Sequence, residues 1–176
     1  MDLIYELDLD IEDNKDKYID LYKTQVLALL WALVEQQTSK AVHEIGTIAF
    51  ILSRINMESG LFSYKVKVYG DKIYINTYDF DFSFEITSIF EYFLKAKEDL
   101  YKKRRKYFNM VEACSINAEV NKYIPYFNMY SINLLKLVFE DEEVLQELNK
   151  IKTYEEIFVI QNEMYEKPYL IFTSTL

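Results

Sequence analysis

Apolar and polar residues alternate at two places in this chain and recur at helical spacing through most of the rest. Near the start, Leu3, Tyr5, Leu7 and Leu9 are separated by Ile4, Glu6, Asp8 and Asp10, a period of two that predicts a half-buried strand. The acidic turn Glu12-Asp13-Asn14 then offers helix N-caps, and acid suits a helix N-terminus. Ile19, Tyr22, Val26, Leu29, Leu30 and Leu33 follow at three- and four-residue steps and predict a helix from Lys15 to Gln36 or Gln37. Trp31 lies off that stripe, so this helix is expected to be apolar on more than one side and central to the core.

From Thr38 to Asn56 two readings stand. One is a single helix that contains Gly46 at a cost of about 1 kcal/mol against Ala. The other is a helix–turn–helix with Gly46 at the turn and Val42, Ile45, Leu52 and Ile55 packing inward. The second alternation is clearer. Phe62, Tyr64, Val66 and Val68 alternate with Ser63, Lys65, Lys67 and Tyr69, and after Gly70-Asp71 the pattern resumes through Ile73, Tyr74, Ile75 and Thr77. A two-residue turn at Gly70-Asp71 would pair Val68 with Ile73 and Val66 with Ile75, giving a hairpin over about 62–78.

Ser83 is a candidate N-cap for a long helix carrying Ile86, Ile89, Phe90, Phe93, Leu94, Leu100, Tyr101, Phe108 and Val111, ending near Ala113 to Ser115. After Pro125, helices are predicted over Tyr126 to Glu140, Asp141 to Lys152, and Thr153 to Tyr165, the last opening on the capping box Thr153-Tyr154-Glu155-Glu156. Beyond Pro168, Tyr169 to Thr173 read as a final strand that pairs with the N-terminal one. The expected architecture is α+β and helix-rich, one domain over 1–176. A mixed half (1–80) shares its core with a mainly helical half (81–176).

Composition changes that picture little and narrows function considerably. Of 176 residues, 51% are hydrophobic and 28% charged, a globular balance with enough chain for one domain. The formal net charge of −9 repels phosphate, so neither nucleic acid nor an anionic membrane is an expected partner of the isolated chain. The longest apolar stretch, Val26 to Val34, is about nine residues against the roughly 18–20 that cross a bilayer. Without a basic, apolar leader at Met1 to Asp8, a cytoplasmic protein is expected.

Catalytic parts are scarce. The chain has one Cys, Cys114, and one His, His43, which excludes multi-cysteine zinc sites and leaves a Cys–His pair dependent on tertiary contact. Asp8, Asp10 and Glu12 would share a face on a continued strand, but a calcium loop begun at Asp8 puts Asp13 where glycine is required. Three glycines build no phosphate loop, and no Glu-x-Lys of the restriction-nuclease kind occurs. No catalytic residue, metal site or cofactor is therefore expected, and the chain is read as no enzyme.

Two features remain. Lys102, Lys103, Arg104, Arg105 and Lys106 would encircle a helix, since each residue turns it by about 100°. That run, with Lys65 and Lys67 of the hairpin, is a candidate contact for anions or an acidic partner; it reads equally as a solvated helix section and a charged strand face. A core of this size absorbs many of the twelve Phe, but sixteen Tyr are harder to absorb, because each buried hydroxyl seeks a partner. Tyr123, Tyr126, Phe127 and Tyr130 crowd around Pro125 and form a candidate partner-binding patch.

From Leu21 to Tyr78, helix, helix–turn–helix and hairpin in succession resemble a winged-helix module with Gly70-Asp71 at the wing tip. The would-be recognition helix, Ile48 to Ile55, is apolar and presents Phe50 and Ile51 where a DNA-reading module presents polar side chains. A degenerate winged helix followed by more helices is similar to the accessory subunits of prokaryotic SMC- and ABC-type ATPase systems, some of them middle components of anti-phage defence. What the resemblance implies is a non-catalytic adaptor in a hetero-oligomer, binding an ATPase and an effector; the apolar and aromatic residues themselves point to Phe50 and Ile51, and to the patch around Tyr123–Tyr130, as its contact surfaces. Two other readings stay open: an acidic inhibitor or immunity protein masking a basic, nucleic-acid-binding partner, and a DNA-binding regulator.

Overall fold

A computed structural model describes residues 2–73, 75, 77–106, 112–163 and 167–175. Two helices, α1 (Asp2–Asp13) and α2 (Lys15–Thr38), lead into β1 (Ile45–Leu52), a short α3 (Arg54–Glu58) and β2 (Ser63–Tyr69). Then come β3 (Phe82–Glu85), α4 (Thr87–Lys106), α5 (Ala113–Asn121), α6 (Ile124–Phe139), α7 (Glu142–Leu148), β4 (Thr153–Glu163) and β5 (Tyr169–Thr175). The strands form one sheet in the order β3-β2-β1-β4-β5, with β1 parallel to β4 and every other pairing antiparallel. The fold is α+β.

Side-chain alternation sorts the sheet into two faces. Ile48, Phe50 and Leu52 of β1, Tyr64, Val66 and Val68 of β2, and Ile157 and Val159 of β4 join the main core together with buried residues of α1, α2 and α4 to α7. Ala49, Tyr69 and Ile160 gather on the opposite face, against half-buried Ile51 and Phe158. The helices thus lie in one layer on one face of the sheet. Two pairs of polar side chains are among those buried in that core. The Tyr22 hydroxyl donates to Ser131 Oγ at 3.0 Å, and the Tyr64 hydroxyl donates to Asn128 Oδ1. Burial drives both phenols well above their ordinary range.

Several sequence expectations are corrected here. The N-terminal segment is α1 and not a strand. Ile4, Leu7 and Ile11 turn inward while Tyr5 and Leu9 stay exposed, so a 3.6-residue period wins over the period of two. The segment from Thr38 to Asn56 is not helical through Ile45–Leu52: it is β1, flanked by β2 and β4 and buried on both faces. A strand so placed carries a continuous apolar run with no period to read. The helix–turn–helix of the winged-helix expectation is therefore not formed.

The hairpin is also redrawn. β2 pairs with β3, Val66 opposite Phe82 and Tyr64 opposite Phe84, so Val68 does not meet Ile73 and Val66 does not meet Ile75. Ile75 is 74% exposed, and among the described residues an isolated bridge, Tyr69 to Thr77, follows the strand. Tyr74 and Asn76 lie outside the described residues, as do Phe108, Val111 and Tyr165. Ser83 sits within β3 and caps nothing; helix α4 starts at Thr87. The capping box at Thr153 opens β4, not a helix, so the C-terminal half supplies three strands, β3, β4 and β5, and is less helical than expected. The terminal strand is present as β5, paired with β4 in place of the N-terminal segment.

Candidate functional site

α4 enters the core with Ile89, Phe90 and Phe93 and then runs out of it, because the sequence from Lys95 onward is mostly charged. α1 lies alongside, pinned at Asp10. That carboxylate accepts from the Tyr18 hydroxyl of α2 and from Asn14 Nδ2 at 2.9 Å, and it also bonds Tyr92 of α4. The Tyr18 bond, then the Tyr92 bond, holds Asp10 below its ordinary value. α5 and α6 close the other side, and the chain turns between them at Lys122-Tyr123, where Pro125 starts α6 without needing its missing N–H.

These four helices enclose a cleft of about 390 Å³. Its floor is apolar: Ile4 from α1, Phe93, Ala96 and Leu100 from α4, Val120 from α5 and Phe127 from α6. Its rim is charged, with Glu6, Asp99 and Glu119 against Lys103. Tyr123 closes one end, 41% exposed, and its ring lies 6.2 Å from that of Tyr126, which is 61% exposed.

The cleft brings together residues that sequence reading had kept apart, namely Tyr123 and Phe127 of the aromatic cluster and Lys103 of the basic run. Phe127 is floor and not surface, being 2% exposed. Tyr130 stands one turn further along α6, half-buried, and donates to Asp8. Phe50 is a correction. On β1 its ring is wholly buried between Tyr64, Phe84 and Phe139 and presents nothing to a partner. Ile51, half-buried, points to the other side of the sheet, because neighbours on a strand face opposite ways. Lys65 and Lys67 share that helix-free face, where Lys65 stands 3.7 Å from Asp81 and Lys67 Nζ donates to the Phe80 carbonyl at 3.4 Å.

The basic run is divided. Lys102 pairs with Asp99 at 3.3 Å and Glu98 at 3.8 Å, and with Arg105 it lines a second hollow beside Tyr101 and Glu58. Lys103, Arg104, Arg105 and Lys106 form the last turn of α4, where cations suit the helix dipole. The two sets of lysines, on β2 and on α4, do not share one surface.

The remaining candidates for chemistry also stand apart. Cys114 is exposed at the start of α5, its thiol donating to Glu112 Oε2 at 3.2 Å. His43 lies beyond the end of α2, with its ring 6.5 Å from that of Tyr78, in a hollow with Gln37, Lys40 and Tyr154. Asp8 and Asp10, both on α1, are engaged by tyrosines of α6, α2 and α4. Glu140, Glu142 and Glu143 belong to the α6–α7 junction, where Glu143 and Asp141 meet Lys23 at 2.9 Å. No group of three or more His, Cys, Asp or Glu is placed to hold a metal ion among the described residues.

Sequence reading missed Ile4, Leu100, Val120, Glu6 and Glu119. One signal was present: Phe93, Ala96, Leu100 and Lys103 recur at three and four residues, so the apolar stripe of α4 continues past its last buried residue. Comparison with family models, with curated proteins and with solved structures found no match for this chain. Among the described residues no helix is long and apolar enough to cross a membrane.

The α1 contacts that shape the cleft are pH-dependent. Burial, then the Asp8 bond, pushes Tyr130 up to about 12, and burial, then the Asp10 bond, pushes Tyr92 up to about 12. Free phenols ionise near 10, so the stability these two supply is complete below about pH 10 and is lost as pH rises through about 12. Asp10 has the opposite sign, its share being present above its ordinary 3.8 and lost on acidification below it. Hydrogen exchange of the α1 amides, after correction for the intrinsic rate, should lose protection between about pH 10 and 12, in step with tyrosinate absorbance. Unchanged protection across that window would mean that the phenol–carboxylate bonds do not hold α1.

Proposed function

We propose that this chain is a non-catalytic, cytoplasmic interaction subunit of a larger complex, and that it holds its partner through the cleft between α1, α4, α5 and α6. The observation that carries this reading is the convergence of Phe93, Leu100, Val120 and Phe127 beside the exposed ring of Tyr123, whose neighbour Tyr126 is exposed as well. A concave apolar floor with aromatic edges suits an inserted aliphatic or aromatic anchor. Three carboxylates to one lysine on the rim, and −9 over the chain, favour an anchor flanked by basic residues. The ATPase and effector suggested by the winged-helix resemblance are not carried into this reading, because the helix–turn–helix and the hairpin that suggested them are not formed. The reading does not need a winged helix, since the cleft lies outside that segment.

Affinity isolation from the native cell should recover a stoichiometric protein partner whose capture depends on the cleft. Leu100 is 37% exposed, so Leu100→Glu should leave the fold intact while placing a charge on the floor. A central anchor is worth about 2 kcal/mol, so affinity for the recovered partner should fall roughly thirtyfold. Ile55→Glu, at a residue 77% exposed on α3, should change nothing. Equal capture by both folded variants would remove the cleft from the interface.

A further inference from the structure

α2 buries one side and leaves the other open. At about 100° per residue, Lys17, Leu21, Thr24, Ala28, Trp31 and Glu35 fall in a band roughly 80° wide. All six are exposed, Leu21 at 44% and Trp31 at 56%. The inward side, from Tyr18 and Tyr22 to Leu30 and Leu33, is the one that packs in the core. An outward stripe whose middle holds a leucine and a tryptophan, with charges only at its ends, is unlike an ordinary solvated helix face.

The order of that stripe is self-complementary about the level of Val26. Lys17 and Glu35 lie nine residues to either side of it, Leu21 and Trp31 five, and Thr24 and Ala28 two. We propose that α2 is a homodimer contact, packed antiparallel against α2 of a second copy across a two-fold axis at Val26. Lys17 then faces Glu35 of the second copy, and Leu21 packs beside its Trp31. The small side chains of Thr24 and Ala28 meet at the centre, where they allow an interaxial distance near the close end of about 8–10 Å. A two-fold contact makes each pairing twice, so the opposite charges meet at both ends.

Two further features fit this occupant. The indole N–H of Trp31 donates to Glu147 Oε2 at 3.1 Å, and Glu147 is itself paired with Lys150, so the ring is held in place before it is covered. Among the described residues neither Lys17 nor Glu35 makes a direct ion pair within its own chain, although Lys17 stands near enough to Asp10 to help hold that carboxylate below its ordinary value. A single helix pair is a small interface, and two copies at −9 repel, so the dimer is weak and forms at roughly 10–100 µM at physiological salt.

Sedimentation velocity from about 1 to 500 µM tests this, with the emission of Trp31, the only tryptophan, as a second readout. Dimer should grow in with a blue shift of that emission over the same range. Ala28→Glu, a surface change that leaves the core alone, should abolish both. Lys17→Glu and Glu35→Lys should each weaken association about tenfold, and the two together should restore it to within about twofold of the parent. A monomer throughout would overturn the proposal. So would a dimer indifferent to Ala28→Glu, or a double variant as weak as either single one.

Discussion

Phe50→Ala is expected to destabilise the protein by about 3–5 kcal/mol, read as a lowered urea midpoint at unchanged slope. The ring is fully buried at the centre of the sheet, with the Phe84 ring at 5.3 Å, Tyr64 at 6.0 Å and Phe139 at 6.4 Å, all edge-on. Removing it opens a cavity between β2, β3 and α6 that none of these rings can close without breaking its own packing. Ile51→Ala, one residue along and on the helix-free face, should cost about 1–2 kcal/mol, since that side chain is only half-buried. The contrast separates strand from helix. Similar costs at both positions, or less than about 1 kcal/mol at Phe50, would place this segment on a surface.

Phe50 also shows why the sequence was legible in some places and not in others. Where one side of an element faces the core the period survives, and α2, α6, α7 and β5 can be read from spacing to within a few residues. Where both faces are covered the period disappears: Ile48 to Leu52 is an unbroken apolar run that suits a buried helix as well as a central strand. At α1 two periods share the same leucines, and only the tertiary contacts of Leu7 and Asp10 choose between them. At β4 a capping-box tetrapeptide was outweighed by Ile157, Val159 and Ile160, whose burial beside β1 and β5 favours a strand.

The hairpin failed for a different reason. Gly70-Asp71 offered a ready turn, but Phe80, Phe82 and Phe84 alternate with Asp81, Ser83 and Glu85 just beyond it. That second pattern fills the core with two or three rings, where Ile73 and Ile75 would fill it with smaller side chains, so β2 reaches past the nearer segment. The cleft was legible in part. Tyr123, Phe127 and Lys103 carried signals in composition and spacing, whereas the approach of α1 and α5 depends on hydrogen bonds between residues far apart in sequence. One of these is the bond from the Tyr101 hydroxyl to Asn117 Oδ1 at 3.0 Å.

Gly46→Ala should cost about 3 kcal/mol, for a reason that has nothing to do with a turn. Gly46 is the second residue of β1, at a register irregularity between Ile45 and Thr47 and beside the point where Thr47 pairs with Tyr69 of β2. A Cβ there would lie 2.3 Å from the Gly70 carbonyl oxygen and 3.1 Å from its carbon, both backbone atoms that no side-chain rotation can move. Either β1 leaves its place between β2 and β4, or the chain after β2 is pushed outward. Gly60 is the control. Its φ of 84° is left-handed and nothing lies within 4 Å of its missing Cβ, so Gly60→Ala meets only backbone strain, about 1 kcal/mol. Thermal unfolding should then drop by about 6–12 °C for the first variant and about 2–4 °C for the second. Were the order reversed, Gly46 would owe its place to its own dihedral angles, and the close approach of β1 to Gly70 would not be what sets the start of the sheet.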